Sequence, residues 1–275
     1  MAKSGDGVAV ITGAGSGMGR CLAQKLAARG YALALADVSA EGIETTVASL
    51  CQTDAKVTQH RVNVAEEAEV MRLAEEVEQM HGGATHVFNN AGVALLGTFE
   101  EVSLTDFRWL MDINFWGVVY GSHYFLPQMK RQKRAHLVNT SSLLGFFGAI
   151  GQGAYCASKF AVRGFTESLR HELAATSVCV TCVHPGFVRT SIAESARKGA
   201  KAGTRLREES LARFQQVART APEAAAEKIL RGVERGKARI LIGADAYFVD
   251  FWQRLKPESY WNLLAKQFKD PTASR

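Results

Sequence analysis

The chain has 275 residues, 47% hydrophobic and 22% charged, ordinary values for a soluble globular protein large enough to bury one sizeable α/β core. No apolar run reaches bilayer-spanning length, and residues 8–12 run too quickly into glycines to form a signal peptide, so a cytoplasmic location is expected, without membrane association. The net charge of +6 is spread along the chain apart from clusters at 130–134 and 197–207; neither carries a nucleic-acid fold signature, and both read as solvated helix faces.

Short β-branched runs predict strands near 8–12, 31–37, 56–64, 85–89, 135–141, 178–184 and 238–242. Helical periodicity between them predicts helices near 18–29, 40–51, 66–81, 104–124, 154–175 and 222–235. Such alternation specifies the α/β class, a doubly wound parallel sheet with helices on both faces. A single domain over 1–275 is expected, since no repeat or low-complexity linker interrupts the pattern.

The first strand leads into Gly13, Gly17 and Gly19, with Ser16 and Met18 between them at the start of a helix. The spacing differs from the usual G-x-G-x-x-G, but strand, glycines and helix stand in the order a pyrophosphate site requires. Helix N-termini offer unpaired N–H groups and partial positive charge, and glycine lets the backbone come close. Asp37 ends the second strand, eighteen residues beyond Gly19. A carboxylate there can accept both adenosine ribose hydroxyls and repels a 2′-phosphate. Ser16 and Val38 supply no cation to reverse that, so NAD is favoured over NADP. Asp37 could also cap the next helix, although Ser39 is better placed to do so.

Tyr155 and Lys159 lie four apart in a predicted helix and therefore share a face. None of the other five tyrosines has a lysine at this spacing. A free phenol titrates about three units too high for a base at neutral pH, a gap of roughly 4 kcal/mol. A cation about 4 Å away supplies roughly that at an effective dielectric of 20. Lys159 thus gives Tyr155 a route to general acid/base chemistry, to which a positively charged nicotinamide would add.

The five cysteines are odd in number and scattered, which argues against a disulfide framework. Cys179 and Cys182 have C-x-x-C spacing, but on a strand they face opposite sides, and no further ligands complete a metal site. Core packing is the better reading.

Two stretches fall outside the alternation. Residues 187–221 are long enough to form a substrate lid. The C-terminal extension, 244–275, carries Tyr247, Phe248, Phe251, Trp252, Tyr260, Trp261 and Phe268, which could pack on the body, on a neighbouring subunit or on a membrane surface.

Taken in order, the glycine turn, Asn89, Asn90, Ala91, Gly92, Asn114, Ser142, Tyr155, Lys159, Pro185 and Gly186 resemble the short-chain dehydrogenase/reductase family over roughly residues 5–243. The resemblance implies a seven-stranded Rossmann-type sheet, nicotinamide cofactor use, and dimers or tetramers. By position it makes Tyr155 the acid/base, with Lys159 lowering its pKa and holding the nicotinamide ribose. Ser142 would bond the substrate oxygen, Ser141 standing one step too early. Asn114 would hold a water in a proton relay, although an asparagine there could also merely kink a helix. Asn90, Ala91 and Gly92 would line the adenosine side, and Pro185, Gly186, Val188 and Thr190 would frame the nicotinamide. Asn63 stands where the family commonly has Asp beside the adenine, with Val64 next to it; the amide oxygen can still accept from the exocyclic amine.

Residues 143–152, including Leu144 and Gln152, follow Ser142 and are largely apolar; residues 94–96, Phe187 and Ile192 could approach the same cleft. The expected activity is an NAD-dependent oxidoreductase of apolar secondary alcohols and ketones. Lys198, Lys201 and Arg205 could instead greet an acidic substrate, but read better as solvated. The competing expectations are an NADP-dependent carbonyl reductase and a catalytically silent dinucleotide-binding scaffold. Retention of Ser142, Tyr155 and Lys159 speaks against the scaffold.

Overall fold

Alternate residues of the first two strands serve two different cores: Ala9, Ile11, Leu33 and Leu35 face one, Val10, Ala34 and Ala36 the other. That is the pattern of a sheet buried on both faces. A computed structural model describes residues 7–50, 54–199, 212 and 214–268. Cys51, Lys201, Arg205 and the side chain of Phe268 lie outside the described residues.

The strands are β1 (Val8–Thr12), β2 (Ala32–Asp37), β3 (Val57–Arg61), β4 (His86–Asn89), β5 (Leu95–Leu96), β6 (Ala135–Thr140), β7 (Val178–Pro185), β8 (Arg197–Lys198) and β9 (Arg239–Ile242). Seven form one parallel sheet in the order β3-β2-β1-β4-β6-β7-β9, while β5 and β8 pair separately. The large sheet is the doubly wound parallel sheet expected from the alternation, and the seven-stranded Rossmann-type sheet that the resemblance implies. Its order reverses between β1 and β4. Ligands of such sheets bind at the carboxyl ends of the strands beside that switch point.

The helices α1 (Gly17–Ala27), α2 (Ala40–Ala48), α3 (Glu67–His81), α4 (Leu104–Met111), α5 (Gly117–Lys130) and α6 (Gly153–Glu172) cover the two faces with a further helix, Pro222–Glu234. Ala225, Ala226, Ile229 and Leu230 of that last helix join the α1 side of the core, while Phe125 and Met129 of α5 join the opposite side. The segment expected as one helix over 104–124 is α4 and α5 joined by a π-helical turn at Asp112–Trp116, and it runs on past Pro127 to Lys130. The extra residue in that turn carries Asn114, buried, into the interior.

The C-terminal extension forms two helices that the sequence pattern does not announce, Ala244–Leu255 and Tyr260–Phe268. Their inner face packs on the body through Ala246, Val249 and Leu264, while Tyr247, Phe248 and Phe251 stay 41–58% exposed. Among the described residues, no helix is long and apolar enough to cross a membrane.

Candidate active site

The switch point is tied together by Thr12 at the end of β1. Its hydroxyl accepts from the backbone N–H of Asn90 (3.0 Å) and Ala91 (3.1 Å), while the Asn90 side chain donates to the Thr12 carbonyl (3.0 Å). Gly13 and Gly17 have positive φ, and a Cβ on Gly19 would collide with the Gly13 carbonyl. The glycines are therefore required by backbone shape and close approach. Ser16 stands at the N-cap of α1 without a side-chain capping bond, which leaves first-turn N–H groups for an anion.

Asp37 closes this loop from the side. Its carboxylate accepts from the backbone N–H of Gly15 (2.8 Å) and of Ser39 (2.9 Å), two of about four acceptor positions. Ser39, as expected, caps α2 by accepting from Gly42. The Asn63 amide oxygen accepts from Ala65 N–H at 3.2 Å, shaping the turn before α3, and Val64 packs against Gly117.

Ser142, Tyr155 and Lys159 meet where β6 ends and α6 begins. Lys159 is buried and its ammonium donates to the Thr140 carbonyl at 3.0 Å. Lys159 Nζ lies 5.7 Å from the centre of the Tyr155 ring. The Ser142 hydroxyl accepts from Leu144 N–H (3.1 Å), and its carbonyl accepts from Gly145 N–H (3.0 Å) and bonds His184 Nδ1 (3.1 Å). Ser141 turns the other way and donates to the Lys159 carbonyl (2.7 Å). Asn114 spends its amide on protein, accepting from Val93 N–H (2.8 Å) and donating to the Val93 carbonyl (3.0 Å) and Ser158 hydroxyl (3.2 Å). It thereby locks the strand end after β4 to α6.

Burial reverses part of the electrostatic expectation. Desolvation pushes the Tyr155 phenol up to about 12, with a hydrogen bond from Ser142 working the other way. Desolvation also pushes Lys159 down to about 8. Spacing alone gives Tyr155 a neighbouring cation but says nothing of the water that both groups lose.

On the far side, Gly186 N–H donates to the Ile242 carbonyl (2.8 Å), Val188 bridges Thr220, and the Thr190 methyl faces Gly17. Leu144, Phe147, Phe187 and Trp261 join the apolar cluster that contains Tyr155, and Gln152 stands at the N-cap of α6. Two residues that sequence reasoning did not single out touch this frame: His184, fully buried against the Ser142 carbonyl, and Asp245, which accepts from Phe187 N–H. Neither carries a local signal, because each acts on a strand end distant in sequence.

The first part of the 187–221 stretch is pinned by β8 pairing with β5. Arg197 bonds Asp106 at 3.0 Å and lies 3.7 Å from the centre of the Trp109 ring. A cation–π contact and a partly exposed ion pair are worth roughly 1 kcal/mol each at most. On the reading of this stretch as a substrate lid, Arg197→Ala should raise substrate KM up to about tenfold with cofactor affinity unchanged. Equal KM values in steady-state assays of the two proteins would remove any gating role for this strand.

Residues 7–201 match the model of the family described as short chain dehydrogenase. The chain belongs to this family. Among similar proteins, a Mycobacterium tuberculosis protein named "Putative oxidoreductase SadH" is 42% identical over 262 residues, with 94% of each chain covered. A cyclohexanol dehydrogenase of Acinetobacter is 33% identical over 192 residues, covering 69% of this chain and 76% of that one. A Burkholderia phymatum short-chain dehydrogenase/reductase, solved in complex with NAD, shares the fold at a TM-score of 0.85 and 33% identity, covering 98% and 99% of the two chains. The chain is thus an oxidoreductase of the short-chain dehydrogenase family.

Proposed function

We propose that this short-chain dehydrogenase uses NAD to interconvert an apolar secondary alcohol and its ketone, with Tyr155 as acid/base. The observation that carries the reading is the meeting of Ser142, Tyr155 and Lys159 beside the switch point, against an apolar wall.

The residues fit a dinucleotide. The α1 N-terminus is uncapped by side chains, and Gly19 leaves no room for a Cβ. The buried Asn90 Oδ1 has no protein partner among the described residues. Among the described residues Lys159 makes one hydrogen bond, to Thr140, and so has protons left for ribose hydroxyls. When bound, oxidised nicotinamide supplies the hydride acceptor and a positive ring. Ser142 donates to the substrate oxygen, and the Tyr155 phenolate, stabilised by the Lys159 ammonium, takes the hydroxyl proton and becomes the phenol. Reduction runs the same proton back to the carbonyl oxygen.

The preference for NAD rests on Asp37, whose remaining acceptor positions suit ribose hydroxyls and whose charge repels a phosphate. Asp37→Ser should narrow the ratio of NAD to NADP efficiency by about tenfold or more, a difference of about 1.4 kcal/mol. An unchanged ratio in parallel assays would assign cofactor choice to other residues. The apolar wall supports an apolar substrate, as does similarity to a cyclohexanol dehydrogenase. Exposed Trp116 and Phe160 are consistent with dimers or tetramers. A panel of secondary alcohols and ketones, followed by NADH absorbance with each cofactor in turn, tests cofactor and substrate class together.

A further inference from the structure

The loop after β7 turns around one carboxylate. Asp245 is the second residue of the Ala244–Leu255 helix, and its Oδ2 accepts from Phe187 N–H at 2.6 Å. A Cβ on Gly186 would strike both oxygens of that carboxylate. A Cβ on Gly243, where φ is +88°, would strike one of them. The two glycines thus form a slot that the Asp245 side chain fills. Gly186 is also fixed from behind, its N–H donating to the Ile242 carbonyl at 2.8 Å.

The consequence runs forward along the loop. Just beyond the Asp245 contact, Val188 bridges Thr220, Arg189 N–H donates to the Thr220 carbonyl at 2.9 Å, and Thr190 meets Gly17 at the start of α1. The loop therefore has three anchors, one at its entry, one in its middle and one at the pyrophosphate turn. The entry anchor is a side chain, and it belongs to a helix that starts beyond the 7–201 span of the family model. A carboxylate accepting from a backbone N–H makes a short, charge-assisted bond, suited to holding a loop in one conformation.

We propose that Asp245 is a positioning residue that sets the loop 186–190 for the nicotinamide half of the cofactor, an inference that rests on the dinucleotide reading above. Asp245 acts through Phe187 and Gly186 and does not itself touch the reacting atoms. Its removal leaves the adenosine and pyrophosphate side, built by β1, α1 and Asp37, as it is.

That separation gives the test. Calorimetric titration of the full chain with NADH and with ADP-ribose compares a ligand that needs the loop with one that lacks the nicotinamide. Asp245→Ala should weaken NADH by about tenfold or more and leave ADP-ribose within about twofold of wild type. Asp245→Asn keeps an amide oxygen that can accept from Phe187 N–H, and should restore NADH affinity to within about threefold. Should the alanine variant not fold, Asp245→Ser is read against the same criteria. Unchanged NADH affinity, or equal weakening of both ligands, overturns the positioning role. Failure of the wild-type chain to bind ADP-ribose would instead overturn the dinucleotide reading beneath it.

Discussion

Tyr155→Phe should turn over secondary alcohols about 10³-fold more slowly than the wild type while binding NADH equally well, the middle of the range for losing a general acid/base. The substitution removes one oxygen and keeps the ring, which packs with Leu144, Phe147 and Trp261 on one side and with Leu95, Leu110 and Ala154 on the other. Folding and cofactor binding therefore have little reason to change. The pH profile gives a second signature. Burial sets the phenol up to about 12 against the opposing hydrogen bond from Ser142, so at pH 7 the protonated form dominates. Ketone reduction, which needs the proton, should be near its maximum at neutral pH and fall in alkali. Alcohol oxidation, which needs the phenolate, should rise with pH above neutrality. Any residual rate in Tyr155→Phe should lose that slope. Full activity in the variant would move the proton chemistry to another group.

Lys159→Met should be nearly inactive and yet more stable at neutral pH. The activity loss, about 10²-fold or more, follows from removing the one cation beside the phenol among the described residues. The gain in stability follows from linkage. Lys159 titrates at about 8 in the folded chain against 10.5 ordinarily, because burial penalises its charge. Between those values the unfolded chain binds more protons, so stability of the wild type rises with pH across that window. Below it, the full cost of the buried ammonium is present. The shift corresponds to about 3 kcal/mol, from which loss of the bond to the Thr140 carbonyl subtracts about 1. The variant should then melt about 5 °C higher at pH 7 in a chain of this size. Its advantage should shrink as pH rises from 8 toward 10.5. A variant less stable than wild type at pH 7 would show that Lys159 is held by compensating interactions, not against a desolvation cost. Stability surrendered at a reactive site is a common pattern in enzymes.

Much of this architecture is legible because it is local. Strand β1, its glycines and α1 announce themselves by a change of hydrophobic period around residues that need no side chain. The four-residue spacing of Tyr155 and Lys159 survives folding because a helix fixes it. Other features arise only when distant strand ends meet. β5 and β8 are two residues long, too short for a period, and pair across about a hundred residues of sequence. The C-terminal helices hide their inner face, Ala246 and Val249, among outward aromatics that read simply as an aromatic extension. The π-helical turn at Asn114 depends on Val93 and Ser158 taking its amide, which no window around residue 114 contains. Desolvation of Tyr155 and Lys159 belongs to the same class. Spacing shows that two groups are neighbours, while their proton affinities depend on everything packed around them.

The most direct test of Tyr155 as acid/base in NAD-dependent alcohol oxidation is initial-rate measurement of NADH formation from simple cyclic and aliphatic secondary alcohols, with wild type and Tyr155→Phe side by side. NAD-dependent turnover is expected in the wild type, favoured over NADP and rising above pH 7, with a loss of about 10³-fold in the variant. Tight NADH binding without turnover of any secondary alcohol or ketone would contradict it and favour a silent dinucleotide-binding scaffold.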